Sequence, residues 1–341
     1  MNTSTPVWAA ILVALLFTSE ARAVNIYQTL SDTSAYAERG TLTPGIIFES
    51  DSQNDSDAAQ GIGPASAESV ALAGSLLGQG ARGNGRAIGG DIAANANFAD
   101  QFGTYERYTA YSEATSVINA VYEGIVIFPF SYPEQITLDF FLPPAEMEIV
   151  DFVERPASTP ILAGISISLE VILNEFGTPE HRSVVDFQAS LETSVDQGGL
   201  PVLANQMIPE IAPPMMEPPA FDLATDPAYA PVRTDITSAD GLTLTTNVVF
   251  PAFTGSYSLP PRSIGTDLQV RYTLAAYVSG PAAMTSAFAA VNDPFGLSGS
   301  VPSPFTVTGS NTPAAVPAPP ALVLLGSVIA AAAVIRRRPP R

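Results

Sequence analysis

Ile165–Asn174 reads ISISLEVILN, and this stretch decides the fold. Ile165, Ile167, Leu169, Val171 and Leu173 fall on alternate positions, with Ser166, Ser168, Glu170, Ile172 and Asn174 between them. A period of two with one apolar face predicts a half-buried strand. Glu175-Phe176-Gly177-Thr178-Pro179 follows as a turn-rich connection. Val185, Phe187, Ala189 and Leu191 then alternate with Asp186, Gln188, Ser190 and Glu192. The two runs together predict an antiparallel hairpin.

Working outward, the same period returns in Ile136, Leu138, Phe140 and Leu142, and again in Leu268, Val270, Tyr272, Leu274, Ala276 and Val278. Tyr105–Val121 and Leu242–Phe250 are two further expected strands. Segments of this kind bounded by Gly, Pro, Asn and Asp argue for an all-β antiparallel sandwich or jelly roll over a parallel α/β fold. Ser66–Leu77 (SAESVALAGSLL) is the exception: an N-cap serine followed by Glu68 predicts a short helix. Gly78–Gly90 reads as a flexible loop. Pro201–Pro231 carries eight prolines and three methionines, so it is no central strand. It is either a linker between two β lobes or a long loop on one sandwich, and its Met and Phe content favours the packed loop. Ser300–Ala315 is a spacer of small and polar residues, and no internal repeat of fixed period is found.

The chain has 341 residues, 46% of them apolar and only 14% charged. All 14 cations are Arg. Residues 24–315 hold 9 Arg against 32 acids, a net charge of −23, which disfavours binding to phosphate backbones and hence to nucleic acid. With no Cys and a single His, thiolate metal sites, disulfides, thiol catalysis and multi-His zinc sites are excluded.

The ends speak of destination. Val7–Phe17 (VWAAILVALLF) is an apolar run of eleven residues, followed by Ala21-Arg22-Ala23, a small-x-small pattern. This predicts a signal peptide over 1–23, cut by signal peptidase after passage through the export translocon, with Val24 the mature N-terminus. At the other end Val316-Pro317-Ala318-Pro319-Pro320 precedes the uncharged Ala321–Ile335 (ALVLLGSVIAAAAVI), and Arg336, Arg337, Arg338 and Arg341 follow. Fifteen residues of helix reach about 22 Å at 1.5 Å each, short of a hydrocarbon core about 30 Å thick. The Arg cluster holds its end in the cytoplasm, leaving residues 24–299 outside as the ectodomain.

A Pro motif, a short hydrophobic helix and a terminal Arg cluster, in that order over 316–341, resemble the PEP-CTERM sorting signal of Gram-negative bacteria. The resemblance implies recognition by exosortase, a membrane transpeptidase-like enzyme, with cleavage near Val316, Pro317, Ala318 and Pro319. The usual motif is Val-Pro-Glu-Pro, and here Ala318 stands where Glu is commonest. It further implies an exported protein of the cell surface or extracellular matrix, in bacteria that make exopolysaccharide and biofilms. An ordinary single-span tail anchor is the alternative.

Chemistry within the body is sparse. Asp51, Asp55 and Asp57 in the run DSQNDSD are the best metal candidates, carboxylates on near-alternate residues suiting the oxygen-rich shell of calcium. No other cofactor is indicated. Gln53 stands in place of an acid and no Glu closes such a loop, so solvated loop acids are the alternative. Glu146, Glu148 and Asp151 cluster near Pro143-Pro144; a carboxylate pair can serve glycoside hydrolysis when the two groups face each other across a cleft. Glu146 and Glu148 would share one strand face, which reads as an exposed acidic face. His181, flanked by Glu180 and Arg182, reads as a solvated turn histidine. Gly78–Gly83 matches Gly-x-Gly-x-x-Gly without the strand before it and helix after it that nucleotide binding needs. The expectation is a non-enzymatic exported protein. The alternatives are an anchored carbohydrate- or calcium-binding module and, behind it, a secreted hydrolase.

Overall fold

The computed structural model describes residues 24–41, 47–60, 65–74, 79–88, 91–100, 106–122, 126–127, 130–131, 134–152, 160–193, 201–204, 218–262, 265–282, 285–291 and 305–310. The chain divides into Met1–Gly309, which builds the sheets, and Ser310–Arg341. The fold is all-β and antiparallel, consistent with a β-sandwich.

One seven-stranded sheet, sheet 1, contains β1 (Val24–Thr41), β2 (Ile47–Gln60), β6 (Glu106–Tyr122), β11 (Leu162–Glu175), β12 (Thr178–Glu192), β13 (Val202–Ala204) and β17 (Asp267–Ala282), in the order β13-β12-β11-β17-β6-β1-β2. Sheet 2, also of seven strands, contains β3 (Ser66–Ala73), β4 (Gln79–Ile88), β5 (Asp91–Asp100), β10 (Ala145–Phe152), β14 (Val232–Thr237), β15 (Thr243–Phe250) and β18 (Ser286–Val291), in the order β14-β15-β10-β18-β5-β4-β3. A three-stranded sheet orders β16 (Phe253–Arg262), β9 (Glu134–Leu142) and β19 (Phe305–Ser310), and β7 (Val126–Ile127) pairs with β8 (Phe130–Ser131).

The hairpin that decides the fold is β11–β12. Its turn is tighter than the five-residue connection the sequence suggests: Glu175 pairs with Thr178, and Phe176 and Gly177 both take positive φ, 56° and 81°. That is the two-residue turn whose twist matches the strands it joins. Ile165, Ile167, Leu169, Val171 and Leu173 are buried.

β10 and β15 run on into β9 and β16, and the paired ribbon breaks at one level on both strands: Pro143-Pro144 on one side and Pro251-Ala252 on the other. Proline has no N–H for the ladder, so sheet 2 ends there and the ribbon re-forms as a separate sheet. The described end of the proline-rich stretch packs on β12. Ala220 and Phe221 donate their N–H groups to the carbonyls of Ser183 and Val184 at 3.0 and 2.9 Å. Tyr229 is buried against Phe187 and Phe250, with ring centroids 5.0 and 5.5 Å away.

Two expectations fail. Of the helix expected over Ser66–Leu77, the described part is not helical: Ser66–Ala73 is strand β3, with Ala67, Ser69, Ala71 and Ala73 buried at alternate positions, and residues 75–77 lie outside the described residues. Within the loop expected over Gly78–Gly90, Gln79–Ile88 is instead β4 and pairs with β3 and β5. The reason is tertiary. At the middle of β4 there is no room even for a methyl group: a Cβ on Gly83 would lie 2.1 Å from the Tyr111 carbonyl oxygen, and one on Gly85 2.5 Å from that of Glu113. Residues of low strand preference are the ones that fit, and packing overrides propensity.

Candidate functional site

β2 and β3 are consecutive edge strands of opposite sheets, and a row of side chains joins them. The N–H groups of β3 that point away from β4 are all taken by side chains of β2. Ser66 donates to Asp57 Oδ2 (2.8 Å), Glu68 to Asp55 Oδ2 (2.9 Å), Val70 to Gln53 Oε1 (3.4 Å), Leu72 to Asp51 Oδ2 (3.0 Å) and Gly74 to Glu49 Oε2 (3.0 Å). Two of the aspartates also serve their own strand: Asp55 Oδ1 accepts from the Ser56 N–H at 3.0 Å and Asp57 Oδ1 from the Ala58 N–H at 2.8 Å. Each carboxylate thus caps donors on both edges, a charge-assisted arrangement. The calcium candidates Asp51, Asp55 and Asp57 therefore lie on a strand, not in a loop, and their oxygens face backbone N–H groups. Gln53, odd in a metal loop, fits here because one amide oxygen is enough for one donor.

The opposite side of β2 belongs to the outer face of sheet 1. Register sets Ser34 beside Asn54 and Glu113, and Asp32 beside Ser56 and Thr115. Asp32, Ser34, Asn54, Ser56 and Glu113, with Thr33 and Asp55, line a shallow depression of about 380 Å³. The next row sets Tyr36 beside Tyr111 and Tyr111 beside Tyr277. Tyr36 donates to Glu38, and Tyr111 to Glu113, through short hydrogen bonds. Burial, reinforced by Glu38, pushes the Tyr36 phenol up to about 12, and burial with the Glu113 charge raises that of Tyr111 further. Both phenols are therefore neutral donors throughout the physiological range, and the depression presents hydroxyl, amide and carboxylate oxygens. Such a surface can hydrogen-bond a polyhydroxylated ligand.

The other candidates do not converge. Glu146 and Glu148 share one face of β10, as their spacing implies, while Asp151 falls on the other. Glu146 accepts from Asn247 Nδ2, its diagonal neighbour on the adjacent strand β15. His181 is exposed but sits on β12 opposite Ile172, not in the turn, because the turn closes three residues earlier. Glu180 is drawn instead into an ion-pair group with Arg182 and Arg262, while Arg262 reaches Glu175 Oε2 at 3.3 Å; the Arg182 hydrogen bond, with both guanidinium charges, holds the Glu180 carboxyl below its usual range. Among the described residues no group of three or more His, Cys, Asp or Glu is arranged to hold a metal ion. Ala21, Ala23, Val316, Pro317, Ala318, Pro319, Arg336, Arg337 and Arg338 lie outside the described residues, and Val24 is the first residue of β1.

No protein-family model matches this chain, and no curated protein matches it. What fold and site define is a class: an antiparallel all-β protein with one edge closed by side-chain carboxylates and an acidic, tyrosine-bearing outer face.

Proposed function

We propose that this is an exported, non-enzymatic protein of the cell surface or extracellular matrix, delivered by the translocon, trimmed by signal peptidase at Ala23–Val24 and released from its tail by exosortase. The observation that carries the reading is the order of parts at the C-terminus: Val316-Pro317-Ala318-Pro319, then a hydrophobic run too short for a comfortable span, then Arg336-Arg337-Arg338. An acidic, Lys-free body suits a soluble role outside the cell.

The outer face of sheet 1 supports a second element, contact with exopolysaccharide. The depression beside Tyr36 and Tyr111 offers hydroxyl, amide and carboxylate oxygens of the kind that sugar hydroxyls donate to, while the two phenol hydrogens stay on Glu38 and Glu113, and a divalent ion such as calcium could bridge its Asp32 and Glu113 to an acidic polymer. Intact mass of the protein recovered from cells and medium tests the sorting reading. A species that begins at Val24 and has lost the residues after the Pro motif is the expected result. A membrane-bound species ending at Arg341 overturns it and leaves a permanently anchored binding module.

A further inference from the structure

The sandwich has four edges, and they are treated unequally. β3 and β2 are capped by the carboxylate row, and β13 is only three residues long. Among the described residues β14 is the edge of the two seven-stranded sheets left long and open: six residues, Val232 66% and Ile236 58% exposed, beside the part-exposed Val249. A bare apolar edge of this length is a template for pairing.

From the register and the residue order we propose that β14 is a homodimerisation edge, pairing antiparallel with β14 of a second copy about a two-fold axis through Thr234. The segment VRTDI is self-complementary about that point. In this register Val232 faces the partner's Ile236, Arg233 faces the partner's Asp235, and Thr234 faces the partner's Thr234. The hydrogen-bonding phase agrees. Ser238 continues the β14–β15 register opposite Thr243 and donates to its carbonyl at 2.9 Å. Antiparallel bonding alternates, so Ile236, Thr234 and Val232 bond to β15, while Arg233, Asp235 and Thr237 turn their N–H and C=O groups to the open edge. Those are the groups this register needs. Arg233 and the partner's Asp235 exchange both backbone bonds, symmetry repeats the exchange, and Thr237 reaches the partner's Pro231 carbonyl. Pro231 loses nothing by having no N–H there.

The charges select the partner. Arg233 and Asp235 lie on one face and pair within the chain at 3.0 Å, and Asp235 also accepts from Thr246 at 2.7 Å. Charged residues on an edge normally deter pairing. Here they deter a foreign strand while the dyad sets unlike charges opposite each other, so the same residues give attraction to self and repulsion to others. Sheet 2 of one copy and sheet 2 of the other would join into one continuous sheet.

The chain lacks cysteine, which makes the test direct. The dyad sets Thr234 against its own counterpart in a non-hydrogen-bonded pair, whose Cα atoms lie about 4.5 Å apart, within the roughly 4.4–6.8 Å a disulfide spans. Full-length Thr234→Cys, purified in mild detergent, should oxidise to a covalent dimer, while Val232→Cys, facing the partner's Ile236, should not. Arg233→Asp and Asp235→Arg should each weaken self-association at least tenfold in sedimentation, yet the two mixed together should associate, since Asp then meets Arg at every position. Unchanged far-UV circular dichroism shows that each variant is folded. A wild-type chain that stays monomeric at tens of micromolar, failure of Thr234→Cys to crosslink ahead of Val232→Cys, or a mixture no more associated than its components would each overturn the proposal.

Discussion

The two halves of the sandwich solve the same packing problem in opposite ways. Where β11, β12 and β17 face β10, β15 and β18, the interior is Ile165, Ile167, Leu274, Phe187, Met147 and Phe250, a layer of large side chains. Where β1 and β6 face β3, β4 and β5, it is Ala35, Ala37, Ala110, Ala114, Ala71, Ala94 and Ala96, with Gly83 and Gly85 against backbone carbonyls. There the sheets approach so closely that hydroxyls stitch them together: Ser31 Oγ donates to the Ala65 carbonyl at 3.2 Å, Ser69 Oγ to that of Thr33 at 3.1 Å, and Ser112 Oγ to that of Asn95 at 2.8 Å. Small residues bury little apolar area each, so this half relies more on hydrogen bonds and close approach. The difference teaches that a sandwich can be thick at one end and thin at the other, provided the thin end is sewn.

Substitutions should divide along that line. Removing bulk is the worst change in the thick half. Phe187, ringed by Tyr229 and Phe250, should cost about 3–5 kcal/mol as Phe187→Ala, measured by chemical denaturation. In the thin half adding a single methyl is the damaging step. Gly-to-Ala within a strand ordinarily stabilises by about 0.5–1 kcal/mol; Gly83→Ala should instead cost about 1–3 kcal/mol, because the obstruction is backbone and cannot rotate away. A neutral Gly83→Ala would show that the sheets are free to part, and the contrast would fall.

The carboxylate row sharpens the contrast further. Asp55→Asn with Asp57→Asn keeps shape but turns an amide N–H₂ toward a backbone donor at each site. The pair should lose about 1–2 kcal/mol, while Ser52→Ala on the other face of the same strand stays within about 0.5 kcal/mol. In the thick half the weak point is the turn. Phe176 is 92% exposed and held at φ 56°, a region that costs a bulky residue about 1–2 kcal/mol and that Asn tolerates. Phe176→Asn should therefore raise the thermal midpoint.

The thick half was also the legible half. Alternating Ile, Leu and Val in β11 and β17 announce both period and face, so the hairpin could be read before any coordinates. Alanine and glycine carry no such contrast: SAESVALA has strong helix formers, and its true period appears only once β4 and sheet 1 are seen above it. The acids of β2 were readable as a pattern but not as a purpose. Their spacing at 49, 51, 55 and 57, completed by Gln53, is the period of a strand whose one face is all acceptor. That signal points to a strand edge as well as to calcium, and only the neighbouring N–H groups decide between them. His181 was displaced because a two-residue turn leaves more chain to the strand than a five-residue one.

The smallest expected effect asks whether the difference reaches the outer surfaces. The acids of the β2 row at the thin end face N–H donors. Asp186, on β12 at the thick end, is half-buried with Glu170 beside it, and burial first, then that like charge, raises its carboxyl above the ordinary aspartate range. The folded chain therefore holds this proton to a higher pH than the unfolded chain does. Above the folded value the ionised group works against folding; below the unfolded value both states are protonated and the cost is gone. Asp186→Asn should accordingly raise the thermal midpoint at pH 7, with the gain shrinking as the pH falls through the aspartate range, while Asp55→Asn should lower it at pH 7. Opposite signs for the same chemical change on β12 and β2 would show that an acid's worth in this sandwich is set by the donors in front of it. Equal signs would mean that net negative charge, not local geometry, governs both.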